Sequence, residues 1–162
     1  MHWGPFIFFT LLATAALTIF LAIGVACQLT HLYPPFILGT FFTKNREKAS
    51  IYGLFCHFML GLLFGFFYLW GFWVYGKTSI LLGMMFGLVH GVFVLCVGLL
   101  VLPAIHPRMA NYSRVVNEEN GISSAQLLKS PGFLGLNYGS FTPFVFLIAH
   151  AIYGGVLALY VY

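Results

Sequence analysis

Four long stretches of this chain are nearly free of polar side chains, and three shorter, more polar stretches separate them. The apolar runs cover about residues 5–29, 50–75, 78–102 and 139–162. A helix that crosses a bilayer needs about 20 predominantly apolar residues at ~1.5 Å rise each, and every run meets that length. The pattern predicts an all-α, integral membrane four-helix bundle. It forms a single transmembrane domain over residues 1–162, with polar loops at 30–49 and 103–138 and a tight turn near Gly76. The first run reads as a retained helix and not as a signal peptide. No Lys or Arg precedes Lys44, the apolar run is longer than a signal core, and no small-residue cleavage site follows it.

Composition narrows the class. Hydrophobic residues make up 61% of the chain and charged residues 6%, against about 25% charged in a soluble domain. Soluble enzymes, nucleic-acid binders and disordered chains are excluded on that ground, and three Cys are too few for a disulfide scaffold. The charges are segregated. Lys44, Arg46, Glu47 and Lys48 precede the second run, Lys77 sits in the tight turn, and Arg108, Arg114, Glu118, Glu119 and Lys129 lie in the long third loop. Loops one and three share a side, so Lys and Arg divide six to one. The positive-inside rule then places both loops in the cytoplasm and both termini outside, N-out/C-out. The net charge of +4 follows from this asymmetry and from attraction to anionic headgroups. Trp3, Trp70, Trp73, Tyr75, Tyr160 and Tyr162 fall near the expected outer boundary, and Tyr33, Tyr52 and Tyr138 near the inner one, as amphipathic rings prefer.

Small residues spaced by four recur in every run: Thr14, Thr18, Ala22 and Ala26; Gly61 and Gly65; Gly83, Gly87 and Gly91; Gly154 and Ala158. In lipid, close backbone approach through such residues drives helix association. The stripes predict a compact bundle or tight contacts with neighbouring subunits. An internal echo accompanies them. His57-x3-Gly61-x3-Gly65 in the second run parallels His150-x3-Gly154-x3-Ala158 in the fourth, as two duplicated helical hairpins would produce. Tyr33-Pro34-Pro35-Phe36 in the first loop cannot continue a helix. In the third loop, residues 123–129 suit a short helix capped by Ser123 or Ser124, and residues 131–139 form a glycine-broken lead-in to the last run.

The chain has six His and no Asp. His57, His90 and His150 lie inside the apolar runs, and an ionisable side chain there is a candidate functional group. At helical rise, His90 sits ~18 Å and His150 ~16 Å above the cytoplasmic boundary, and His57 ~10 Å. His90 and His150 are therefore level with each other. They could ligate haem b or a chlorophyll-type pigment between facing helices, and with His57 they could bind another metal or pass protons. The same imidazoles could instead act as glue, bonded to a neighbouring helix. His2, His31 and His106 read as ordinary interfacial histidines, and Cys27, Cys56 and Cys96 as buried small residues. The apolar runs contain no Asp, Glu, Lys or Arg, and no catalytic motif is present. Ser79, Thr10, Thr14 and Thr18 are too few to line a water-filled path.

At Ala13-Thr14-Ala15, His57-x3-Gly61-x3-Gly65-x2-Tyr68, Gly83-x3-Gly87-Leu88-Val89-His90-Gly91 and Leu102-Pro103, the chain resembles small four-helix prokaryotic integral membrane proteins of unknown function. The resemblance implies four spans in a bacterial inner membrane and carries no catalytic residues with it. The leading functional expectation is a non-catalytic small membrane subunit, in contact with lipid and packed in a homo-oligomer or a larger membrane complex. A haem- or pigment-binding electron-transfer subunit and a route for metal or protons are the alternatives.

Overall fold

The computed structural model describes residues 3–111 and 127–161. The described residues are mostly helical, with no strand among them. Helix α1 spans Trp3–Ala26, the short α2 Pro34–Gly39, α3 Arg46–Tyr75, α4 Ile80–Ile105 and α5 Thr142–Ala158. A 3-10 segment, Phe133–Tyr138, precedes α5, and another, Leu159–Val161, follows it. Among the described residues three helices, α1, α3 and α4, of 24, 30 and 26 residues, are long and apolar enough to cross a membrane. Helix α5 is apolar but has 17 residues, which is ~26 Å at helical rise. The expected run of 139–162 is shorter as a helix because the backbone turns at Gly139 (φ 135) and helix begins only at Thr142, with Pro143 in its first turn.

The other boundaries have local causes. Helix α3 starts four residues before the apolar run, because Asn45 caps it by accepting from the Lys48 N–H at 3.0 Å. Arg46, Glu47 and Lys48 are thus on the first helical turn and not in a loop. At its other end Gly76 adopts a left-handed conformation (φ 64), which only glycine enters without strain. Ser79 then opens α4 by accepting from the Leu82 N–H at 3.1 Å. In the first loop Pro34 and Pro35 begin a helix where they were expected only to stop one. The first helical position has no use for an N–H and suits a fixed φ.

Helix α5 is the centre of the bundle, with α1 and α4 on its flanks, and 11 of its 17 residues are buried. Helix α3 is the opposite case: five of 30 residues are buried, and Phe55, Phe67, Trp70, Trp73 and Val74 are exposed. An outside of this kind suits a membrane protein. Embedded in a membrane, these helices would meet lipid along that face.

The small-residue stripes are used inside the chain. A Cβ on Gly83 would overlap the Gly154 carbonyl, one on Gly154 the Gly83 carbonyl, and one on Gly87 the His150 carbonyl. Ala158 packs on Gly83, and Gly91 meets the side chains of Leu147 and His150. Helices α4 and α5 therefore touch backbone to backbone. Gly61 and Gly65 receive Thr14 and Thr10 of α1. Thr18 is also buried, but Ala22 and Ala26 are exposed. A spacing of four overshoots the 3.6-residue turn, so the line drifts ~40° per step. By Ala22 it has left the interface, and Leu21 and Gly24 are buried in its place. The hydroxyls of Thr10, Thr14 and Thr18 each donate to the carbonyl four residues earlier, at 2.7, 2.8 and 2.6 Å. This pattern spends the polar group within its own helix.

One end of the bundle gathers the first and third loops. His106 is fully buried there. Its Nδ1 accepts from the Arg108 N–H at 3.1 Å, which leaves Nε2–H to donate to the Ile37 carbonyl and the Thr40 hydroxyl, both at 3.1 Å. The Arg108 guanidinium donates to the carbonyls of Thr40 and Phe41. The expectation of an ordinary interfacial His fails here, because α2 folds back over the residue. Tyr138 donates to the Lys129 carbonyl at 2.7 Å, and burial raises its phenol above the usual value of 10.0. The opposite end carries an aromatic cluster in which Phe6 meets Trp3, Phe66 and Tyr160. His31 is exposed. Cys27 is also exposed and not buried as expected, and Cys56 and Cys96 are half-buried. The suggested helix at 123–129, and Arg114, Glu118, Glu119, His2 and Tyr162, lie wholly or partly outside the described residues.

Candidate functional site

The three intramembrane histidines border one cavity of about 230 Å³. It exists because α3 and α4 do not close on each other as α4 and α5 do. Aromatic side chains bridge them instead: Phe64 lies 4.2 Å from the His90 ring and Tyr68 6.2 Å from Phe86, between centroids. Helix α4 contributes a second cause. Its turn at Val94–Gly98 is a π-helix, and both Val94 and Gly98 line the cavity. Single wide turns of this kind often accompany functional sites. Leu17 and Leu21 of α1 and Ile37 of α2 line the cavity as well.

The polar groups are few and their roles can be assigned. Tyr153 donates to the Gly61 carbonyl at 2.7 Å and so ties α5 to α3. Such interhelical bonds average about 0.6 kcal/mol in a membrane bundle. Tyr68 and His90 Nδ1 are 3.2 Å apart, which ties α3 to α4. His150 Nδ1 lies 2.7 Å from the Phe146 carbonyl. A carbonyl only accepts, so His150 carries its proton on Nδ1, and Nε2 of the neutral ring is a bare acceptor. His57 makes no hydrogen bond among the described residues, and its Nε2 is buried without a partner. Glue explains His90. It does not explain His57, the kind of orphan that calls for a missing partner.

His90 and His150 are in edge-to-face contact, with ring centroids 4.8 Å apart and planes at 83°. Their level placement is thus realised as direct contact, and His57, expected nearer the loops, borders the same space. The contact leaves no slot for a porphyrin or chlorin between the two rings, and behind them Gly87 rests on the His150 backbone. Bis-imidazole ligation of haem b or a chlorophyll-type pigment by this pair does not fit the arrangement. Among the described residues no three His, Cys, Asp or Glu side chains are grouped to hold a metal ion. The threonine hydroxyls nearby are bonded within α1 and offer no relay. What the cavity can do is hold a neutral, mostly apolar molecule and hydrogen-bond it at an imidazole.

Two participants were not singled out from sequence. Tyr153 stands three residues after His150, and a tyrosine this far inside an apolar run is a usable signal. Gly98 falls off the spaced-by-four stripe of α4, and its role depends on the π turn, which has no sequence marker. No protein-family model, no curated protein and no solved structure matches this chain, so the site is read from its own geometry alone.

Proposed function

We propose that this protein is a small, non-catalytic integral membrane component whose work is binding. It holds a small molecule in the His57–His90–His150 cavity, alone or as a subunit of a larger complex. The observation that carries this reading is the apolar cavity bordered by His57, His90 and His150, with the Nε2 of His57 buried beside it without a partner. A buried polar atom without a partner costs about 1–3 kcal/mol, and a bound molecule that meets this ring after it turns toward the cavity removes that cost. In this reading α5 is a fourth span, both termini face outward, and the membrane is a bacterial cytoplasmic one. The six-to-one division of Lys and Arg supports the orientation. The two hairpins, α1 with α3 and α4 with α5, are duplicates in this account. Each packs its spaced-by-four small residues on the preceding span and carries its His toward the shared cavity. Because the stripes, apart from the exposed Ala22 and Ala26, are used within the chain, a partner would meet the exposed aromatic face of α3.

Gly98 supplies the test. A Cβ there meets only Val94, at 3.8 Å, so Gly98→Leu fills the cavity mouth without striking backbone. Native mass spectrometry of the protein drawn from its membrane in mild detergent is expected to show a small-molecule adduct on the wild type and none on Gly98→Leu. Wild type and variant both free of adduct, with equal stability, would overturn the reading.

A further inference from the structure

The hydrogen-bonding inventory of the cavity goes further and specifies its ligand, on the footing of the binding role just proposed. We infer that the site takes a neutral, single-ring molecule bearing a hydroxyl, a phenol or the head of a hydroquinone, whose O–H donates to His150 Nε2. Four observations lead there. The first is the committed proton of His150. Its Nδ1–H is given to the Phe146 carbonyl, so Nε2 can only accept, and a ligand with only acceptor atoms leaves it unpaired. The hydroxyls nearest to hand are engaged elsewhere, Tyr153 on the Gly61 carbonyl and Thr14 on the Thr10 carbonyl. Second, no charged side chain is among the described lining residues, so an ionised ligand would be left without a counter-charge.

Third, size sets the ring count. An apolar cavity of about 150 Å³ takes up benzene, so about 230 Å³ suits one ring with small substituents. A lone water would pair with His150 and leave most of this apolar space empty. Phe64, Phe146 and Tyr153 supply aromatic walls for the ring. Fourth, the lining includes the exposed Leu60 and Gly98, so the cavity opens on the outside of the bundle between α3 and α4. A molecule dissolved in lipid reaches it without crossing water. The hydroxyl oxygen, while its O–H donates to His150, keeps lone pairs for His57. A turn of the unbonded His57 ring about its Cβ–Cγ bond presents an N–H to them.

The test uses the full chain in lipid nanodiscs with histidine labelled by nitrogen-15. Its probes are 4-ethylphenol, the methyl ether of 4-ethylphenol, and ethylbenzene. The His150 acceptor nitrogen is expected to shift saturably with 4-ethylphenol, with a Kd at least about tenfold lower than that of the ether, a difference of about 1.4 kcal/mol. His150→Leu should erase the preference between phenol and ether while both still bind. His150→Gln, which keeps an acceptor, should restore part of it, and Gly98→Leu should abolish binding of all three. Equal binding of phenol and ether, unaffected by His150→Leu, would overturn the hydroxyl assignment and leave the binding role standing. No saturable binding of any probe, with Gly98→Leu indistinguishable from wild type, would overturn both.

Discussion

Replacing His57 by leucine should stabilise the ligand-free protein. The imidazole borders an apolar cavity and makes no hydrogen bond among the described residues, and its Nε2 is buried without a partner. Such a group costs about 1–3 kcal/mol relative to an apolar one of similar shape. Leucine is of comparable size and would line the same space as Leu60 and Leu17, so little packing is lost. For a chain of 150–250 residues each kcal/mol moves the midpoint by about 2–4 °C, and a rise of several degrees is expected. Thermal unfolding in mild detergent can be followed by a thiol-reactive dye that reports Cys56 and Cys96, both half-buried and free. Cys27 is exposed and is first changed to Ser to remove its background. A midpoint lowered by several degrees in His57→Leu would refute the reasoning, because it would mean that the imidazole is held by a native bond. With saturating ligand the order should reverse, wild type gaining more than the variant.

Four further outcomes follow from the packing and the loops. Gly87→Val should leave little folded protein in a detergent-extraction assay, since its Cβ would overlap the His150 carbonyl and overpacking costs about 1–3 kcal/mol even where side chains can give way; Gly4→Ala, with nothing within 4 Å, is the neutral control. His106→Ala should lower stability by about 1–3 kcal/mol in the same unfolding assay, because the Arg108 N–H loses its acceptor and α2 loses its tie. Single cysteines at Thr43 and Lys77, in a chain cleared of its own, should divide in intact cells. An impermeant thiol reagent is expected to label Lys77→Cys and spare Thr43→Cys, and the opposite result would invert the orientation. The Tyr138 phenol is raised in the folded state, so its contribution is present below the unfolded value near pH 10 and is lost as pH rises through the folded value. Tyr138→Phe should therefore be less sensitive than wild type to alkaline unfolding.

Much of this architecture is written in the order of apolar residues, because an apolar run long enough to cross a bilayer must satisfy its backbone internally as helix. The stripes that hold Gly83, Gly87 and Gly154 were equally visible as spacing, though not which helices they would join. Boundaries were less so. Arg46, Glu47 and Lys48 carry charge and look like loop, yet the Asn45 cap recruits them into α3. Pro34 and Pro35 look like helix stops and serve as a helix start. His57, His90 and His150 stood out because no other side chain in the apolar runs titrates readily at neutral pH. Their meeting in one cavity did not, since it depends on α3 and α4 being held apart by Phe64 and Tyr68. His106 was hidden for a related reason: its burial comes from α2, sixty-odd residues away in sequence.

The central claim is that a molecule occupies the space among His57, His90 and His150. Crystals of the full chain soaked with 4-bromophenol test it by the anomalous signal of bromine. The account predicts a bromine peak inside the cavity beside His150, present in the wild type and absent from Gly98→Leu. Bromine found only along the outer faces of α3 and α4, with the cavity filled by water or empty, would contradict it.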